Sequence, residues 1–257
     1  MAFTAADVKT LREMTNVGMM DCKKALMATD GDMDKAVDWL REQGLAKAAK
    51  KAGRISAEGV AYAAVFGNVG VAIEVNAETD FASKTPAFLD LVKNLAECVA
   101  INDPADVDAL KACTYPNSNL TVTEIMQEKV MSIGENLQIR RFTRFAANTS
   151  VAYVHAGGTH GVLVNLAVEG DIDVTEIGKN VAMQIAAFYK ENCLLQQDFV
   201  RSDLFQGSVE GYIADAAKKL GGTVKFVDAI HYIKGEGIEK KQENFAAEVA
   251  AQMNMGK

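Results

Sequence analysis

Residues 59–80, GVAYAAVFGNVGVAIEVNAETD, align without a gap onto residues 150–171, SVAYVHAGGTHGVLVNLAVEGD, at an offset of 91. Eight of the 22 positions are identical: Val60/Val151, Ala61/Ala152, Tyr62/Tyr153, Gly67/Gly158, Gly70/Gly161, Val71/Val162, Glu78/Glu169 and Asp80/Asp171. An internal repeat restricts the architecture, because both copies must reach the same local structure. Each is a pair of short apolar runs around a glycine-containing turn, which reads as a β-hairpin. In each, the second strand leads through an acidic turn into a helix, Pro86 to Ile101 in one copy and Val174 to Tyr189 in the other. The expected fold class is α+β, with a core of two related subdomains built on mostly antiparallel three-stranded sheets.

The elements that complete each copy are legible nearby. The first continues with helices near Ala105–Cys113 and Val122–Ile133 and a strand within Asn136–Phe145; the second with a helix near Val209–Leu220 and a strand over 223–233, TVKFVDAIHYI. Ahead of the repeat, apolar residues at helical spacing define three short helices: Val8, Leu11 and Met14; then Met19 to Ala28; then Ala36, Val37, Trp39 and Leu40, ending at Gly44. A module this small is marginal alone and is expected to lean on a larger body or a partner. LAKAAKKAGR, 45–54, shows no apolar face and reads as a solvated helical linker. After the second copy, Phe245, Ala246, Val249 and Ala250 line one face of a C-terminal helix. The resulting division is 1–54, 55–140, 141–233 and 234–257.

Composition narrows the function. A net charge of −7 argues against a protein that binds nucleic-acid phosphates without sequence preference. The N-terminus lacks an export signal and no run approaches 18 apolar residues, so the expectation is a cytosolic protein without a membrane segment. The four cysteines contain no CxxC pair, and nucleotide, hydrolase and metalloprotease motifs are all missing from the sequence. No catalytic residue, metal or cofactor is therefore assigned. His155 and His160 are too few for a metal site without a third ligand, and read as exposed residues that touch a partner. Cys22, next to Lys23 and Lys24, has cations that favour a thiolate, but a buried helix position and the want of a His base point to a structural thiol. Lys47–Arg54 has no interleaved aromatic for base stacking.

Two features resist a purely structural reading. Met19 and Met20 follow a turn at Gly18, where so small a module can bury them only with difficulty; they either fill its core or form an adaptable binding surface. Thr79-Asp80-Phe81 follows a buried strand. Thr79 or Asp80 can cap a short helical turn, and spacing favours Phe81 as a staple onto its own core, because the repeat places apolar Ile172 at the equivalent position.

LREMTNVGMMDCKKAL (11–26), AKAAKKAG (46–53), Thr79-Asp80-Phe81, IGENLQIRR (133–141), YVHAGGTHGVLV (153–164) and GEGIEKK with FAAEVA (235–250) resemble, in order and spacing, the bacterial elongation factor Ts family. The resemblance implies an N-terminal UBA-like module, the duplicated core and a C-terminal helical module. It implies guanine-nucleotide exchange on elongation factor Tu without covalent chemistry. Arg12, Met19, Met20 and Lys23 would grip a helix of the GTPase, and His155 would meet another of its domains. Thr79, Asp80, Phe81 and Ala82 would intrude near its Mg²⁺ site. Two departures stand out: the coiled-coil hairpin that longer members insert after the helix ending near Tyr189 is missing, and Ala82 replaces the usual Val, a packing loss of about 1 kcal/mol at most. A helix-binding module without exchange activity and an enzyme with Cys22 as nucleophile are the alternatives from other classes.

Overall fold

At the start of the chain, Thr4 and Asp7 bond reciprocally: Asp7 Oδ2 accepts the Thr4 amide at 2.7 Å, and the Asp7 amide donates to Thr4 Oγ1 at 3.3 Å. This closes the entry of α1 (Ala5–Thr15). The computed structural model describes residues 3–15, 17–188 and 193–239. The C-terminal helix expected around Phe245, Ala246, Val249 and Ala250 lies outside them.

Helices α2 (Met19–Ala28) and α3 (Met33–Lys51) follow, the latter capped by Asp32, whose side chain accepts the Lys35 amide. Leu11, Cys22, Ala25, Leu26, Ala36 and Leu40 form the core of this three-helix unit, which Met131 from the main body completes. The module does lean on a larger body. The sequence expectation that the third helix ends at Gly44 and gives way to a solvated linker is corrected: α3 runs on to Lys51. Its second half packs through Gly44, against the Gln127 backbone and Met131, and through Ala48. Lys47 pairs with Asp21 at 2.6 Å, fastening that half back onto α2. Small residues made the packing face invisible as a hydrophobic stripe, yet smallness is what lets two helices approach.

The first subdomain contains β1 (Glu58–Phe66), β2 (Val69–Ala77), α4 (Asp80–Ser83), α5 (Pro86–Asn102), α6 (Val107–Ala112), α7 (Val122–Ile133) and β3 (Gln138–Phe145). The second contains β4 (Thr149–His155), β5 (His160–Glu169), α8 (Thr175–Phe188), a 3₁₀ turn (Leu194–Gln196), α9 (Val209–Lys219) and β6 (Thr223–Ile233). Each sheet is antiparallel, in the orders β1-β2-β3 and β4-β5-β6. Their registers break between Glu74 and Val75 in one and between Asn165 and Leu166 in the other, positions 91 residues apart. The repeat thus extends to a shared β-bulge, a feature that bends a strand and strengthens its twist.

Each sheet packs one face on its own helices, through Ile73, Phe88, Leu91, Leu95 and Val122 in the first subdomain and Val162, Leu166, Ile177, Val181 and Ile213 in the second. The other faces meet each other through Ala61, Ala63, Ala72, Leu163 and Tyr232. The approach is close enough that a Cβ on Gly161 would sit 2.8 Å from the Ala61 backbone, and one on its repeat partner Gly70 would sit 2.5 Å from Ser150. Ala61 also donates a backbone hydrogen bond across the interface to the Gly158 carbonyl at 2.8 Å. Because β3 pairs with β2 as far as Phe145, we place the division between subdomains in the turn at 146–148; the sequence boundary at 140 falls inside that strand. Among the described residues no helix is long and apolar enough to cross a membrane.

Candidate partner-binding corner and surfaces

Strand β2 leaves the first sheet at Ala77, and the chain turns sharply into α4. Thr79 is the N-cap of that turn, its Oγ1 accepting the Ala82 amide at 3.1 Å. Ser83 Oγ donates to the Asp80 carbonyl at 2.9 Å, and Thr85 Oγ1 donates to the Ala82 carbonyl at 2.7 Å while capping α5. A single helical turn with its ends bonded this way is a firm mount despite its four residues. Below the mount, Ala82 is 3% exposed and joins the first core; above it, Phe81 is 81% exposed. The expectation that Phe81 staples onto its own core is overturned. Ala82 takes that role, and helical geometry, at 100° per residue, sends its neighbour outward.

Asp80, the residue before Phe81, is exposed and pairs with Lys84 at 2.6 Å. That hydrogen bond, and then the lysine charge, hold its carboxyl below the usual carboxylate range, so it is an anion at neutral pH. The corner therefore carries an exposed aromatic ring next in sequence to an ion-paired carboxylate.

A second surface lies on the N-terminal module. Met19 and Met20, at the start of α2, are 44% and 64% exposed, which decides between core filler and surface in favour of surface. Arg12 on α1 and Lys23 on α2 are exposed as well. Between them Cys22 is fully buried, its Sγ hydrogen-bonded to the Val17 carbonyl at 3.6 Å. Burial pushes its thiol above the ordinary value, so the lysine neighbours do not make it a nucleophile.

The third surface is the edge of the second hairpin. His155 is exposed and its Nδ1 bonds the Tyr153 hydroxyl at 2.9 Å. Its ring lies 5.8 Å from that of His160, which in turn bonds His231 through Nδ1 and Nε2 at 2.9 Å. Along the chain no third ligand lies near His155 and His160; in the fold β6 brings His231, 71 residues on, against His160. The three do not form a metal cluster among the described residues. Burial holds His231 down to about 4, helped by His160 and Arg141, and lowers His160 too.

Sequence reasoning missed the residues behind the corner. Glu135, in the stretch after α7, accepts from both the amide and the hydroxyl of Thr79. Glu74, fully buried at the β2 bulge, receives Arg140 at 3.0 Å, Arg141 at 2.7 Å and the Gly235 amide at 2.8 Å. Both arginines also reach Glu236, Arg140 at its carbonyl and Arg141 at its carboxylate. The only signal for either glutamate was its place in a motif, IGEN for Glu135 and the repeat for Glu74.

Fold and surfaces together define a duplicated α+β protein that displays apolar and ionic side chains on fixed mounts. A family model described as Elongation factor TS matches residues 78–189. The chain is 39% identical to the elongation factor Ts of Magnetococcus marinus and 40% identical to that of Clostridioides difficile, in each case over 97% of this chain and 98% of the relative. Against that of Trichlorobacter lovleyi it is 38% identical over 98% of both. The chain belongs to the elongation factor Ts family, the nucleotide exchange factors of translation elongation. The alignments run over 300 to 308 residues, longer than this 257-residue chain, so these relatives carry residues with no counterpart here.

Proposed function

We propose that the protein binds elongation factor Tu carrying GDP in the cytosol and accelerates GDP release by inserting the Asp80–Phe81 corner beside the Mg²⁺ and phosphate site of the GTPase. The observation that carries this reading is the exposure of Phe81 on a fully bonded turn, in a chain of this family. Arg12, Met19, Met20 and Lys23 hold a helix of the GTPase domain, and His155 meets a second domain. With contacts at both ends, the corner is delivered to one place.

The exchange step needs no covalent chemistry. A factor accelerates release when it binds the nucleotide-free conformation better than the nucleotide-bound one. Linkage makes this reciprocal, so GDP weakens the factor by the same ratio that the factor weakens GDP. Burying a phenylalanine side chain contributes about 1.5–3 kcal/mol, and each 1.4 kcal/mol is a factor of about ten. If the ring is buried only in the nucleotide-free complex, it alone supplies roughly one to two powers of ten. Shifting Mg²⁺ away from the phosphates removes a large local charge and adds to that.

The test is release of labelled GDP from elongation factor Tu, with binding measured at zero and saturating GDP. Acceleration with weaker binding at high GDP supports the reading. A helix-binding module without exchange activity would bind equally under both conditions and leave release unchanged.

A further inference from the structure

We infer that Glu135 is a positioning residue for exchange: its carboxylate clamps Thr79 and thereby fixes the direction in which Phe81 is presented. The inference rests on the proposed function and names a residue outside the partner-facing set. Thr79 donates twice to this one carboxylate, its amide to Oε2 at 3.0 Å and its hydroxyl to Oε1 at 2.6 Å. The same hydroxyl oxygen accepts the Ala82 amide at 3.1 Å. Its single proton is therefore committed to Glu135 and its lone pair to the turn. Two parallel bonds to a carboxylate fix orientation as well as position.

Glu135 is itself held on both sides. Gly134 ends α7 in the left-handed region, φ 86°, a conformation that glycine adopts without strain. Its carbonyl accepts from the Lys51 ammonium at the end of α3. On the other side Asn136 is buried: its amide donates to Glu78 at 2.6 Å, its side chain donates to the Arg54 carbonyl at 2.8 Å, and its carbonyl accepts from Ser56 Oγ at 3.0 Å. The ends of α3, α7 and β2 thus converge on the two residues flanking Glu135. The helix that carries the N-terminal module is wired to the base of the corner.

The second repeat shows that the clamp is not required by the fold. There Gly170 stands where Thr79 stands, with neither a capping hydroxyl nor a side chain to clamp, and the following Asp171-Ile172-Asp173 forms no helical turn. The clamp occurs only in the copy that displays an apolar side chain to solvent. An exposed hydrogen-bonded pair adds little to stability, since water replaces it, whereas the direction of the ring depends on it.

The experiment combines exchange kinetics with hydrogen exchange, using Glu135→Gln in the full chain. Glutamine keeps the shape but offers an amide donor to one of the two Thr79 donors, so one bond is lost. The saturating rate of GDP release from elongation factor Tu is expected to fall on the order of tenfold, as it does when only about a tenth of the molecules present the ring in the competent direction. The factor concentration for half-maximal rate is expected to change less than about threefold, because the Met19, Met20 and His155 contacts remain. Amide exchange at Thr79 and Ala82 rises, with the melting temperature nearly unchanged. In a Phe81→Ala background, Glu135→Gln causes no further loss.

Unchanged exchange at Thr79 and Ala82 together with a wild-type saturating rate would overturn the inference, as would an undiminished loss in the Phe81→Ala background. A wild-type chain that fails to accelerate GDP release would overturn the proposed function and the kinetic role with it; the amide measurement then still reports whether the clamp exists.

Discussion

Phe81 and Ile172 occupy equivalent positions in the two repeats, and the structure uses them oppositely: the phenylalanine ring stands in solvent, while the isoleucine packs against the second core. The divergence starts two residues earlier, where Thr79 caps a helical turn and Gly170 does not. Phe81→Ala is therefore expected to slow GDP release by roughly 10- to 100-fold at saturation. Its unfolding free energy should move by no more than about 0.5 kcal/mol. Ile172→Ala should do the reverse, lowering stability by about 1–2 kcal/mol for a half-buried side chain with exchange intact. Parallel chemical unfolding and exchange assays on both variants check the inversion.

The two methionines at the start of α2 make a different contribution from the ring. Both are exposed, and under the proposed function they grip the partner in either nucleotide state, away from the corner. Met20→Ala is expected to raise the factor concentration for half-maximal exchange on the order of tenfold, with the saturating rate nearly unchanged. Titration of exchange rate against factor concentration separates the two quantities, and a fall in the saturating rate alone would assign Met20 to the exchange step instead.

At the junction of the subdomains, the buried Glu74 carboxylate pairs with two arginines, one of which also meets the Glu236 carboxylate, and it anchors the turn after β6 through the Gly235 amide. Removing one partner of such a network leaves uncompensated charge. Glu74→Ala is expected to cost about 3–5 kcal/mol of stability, measured by urea unfolding. A loss under about 1 kcal/mol would mean that the arginines are satisfied by solvent.

His231 gives the protein an acid-sensitive core. Its folded value of about 4 lies below the ordinary 6.5, so the unfolded state binds the proton more readily. The stability associated with its neutral form is complete above pH 6.5 and is lost as pH falls toward 4, at most about 3 kcal/mol in all. The difference in unfolding free energy between wild type and His231→Phe should slope through that window and be flat above it. Urea unfolding at half-unit pH steps from 4 to 7.5 checks the slope.

The repeat made the hairpins, the helices behind them and the third strand at 223–233 legible, because each is a local pattern of apolar spacing. What escaped was written in smaller or more distant marks. The second half of α3 packs through Gly44 and Ala48, residues without enough apolar surface to show a stripe. Spacing and the apolar Ile172 at the equivalent repeat position both point Phe81 inward; Ala82 next to it is what the core takes, being small enough to fit under a tight turn. Glu135 meets Thr79 across 56 residues, and the third histidine meets His160 across 71. No periodicity encodes contacts of that range; they follow from how the sheets and α7 are assembled.

The most direct test of the account is the rate of labelled GDP release from elongation factor Tu with and without this protein, at saturating factor. Wild type should accelerate release strongly, and Phe81→Ala should lose most of the acceleration while still folding and binding. No acceleration by the wild-type chain, or full acceleration by Phe81→Ala, would contradict it.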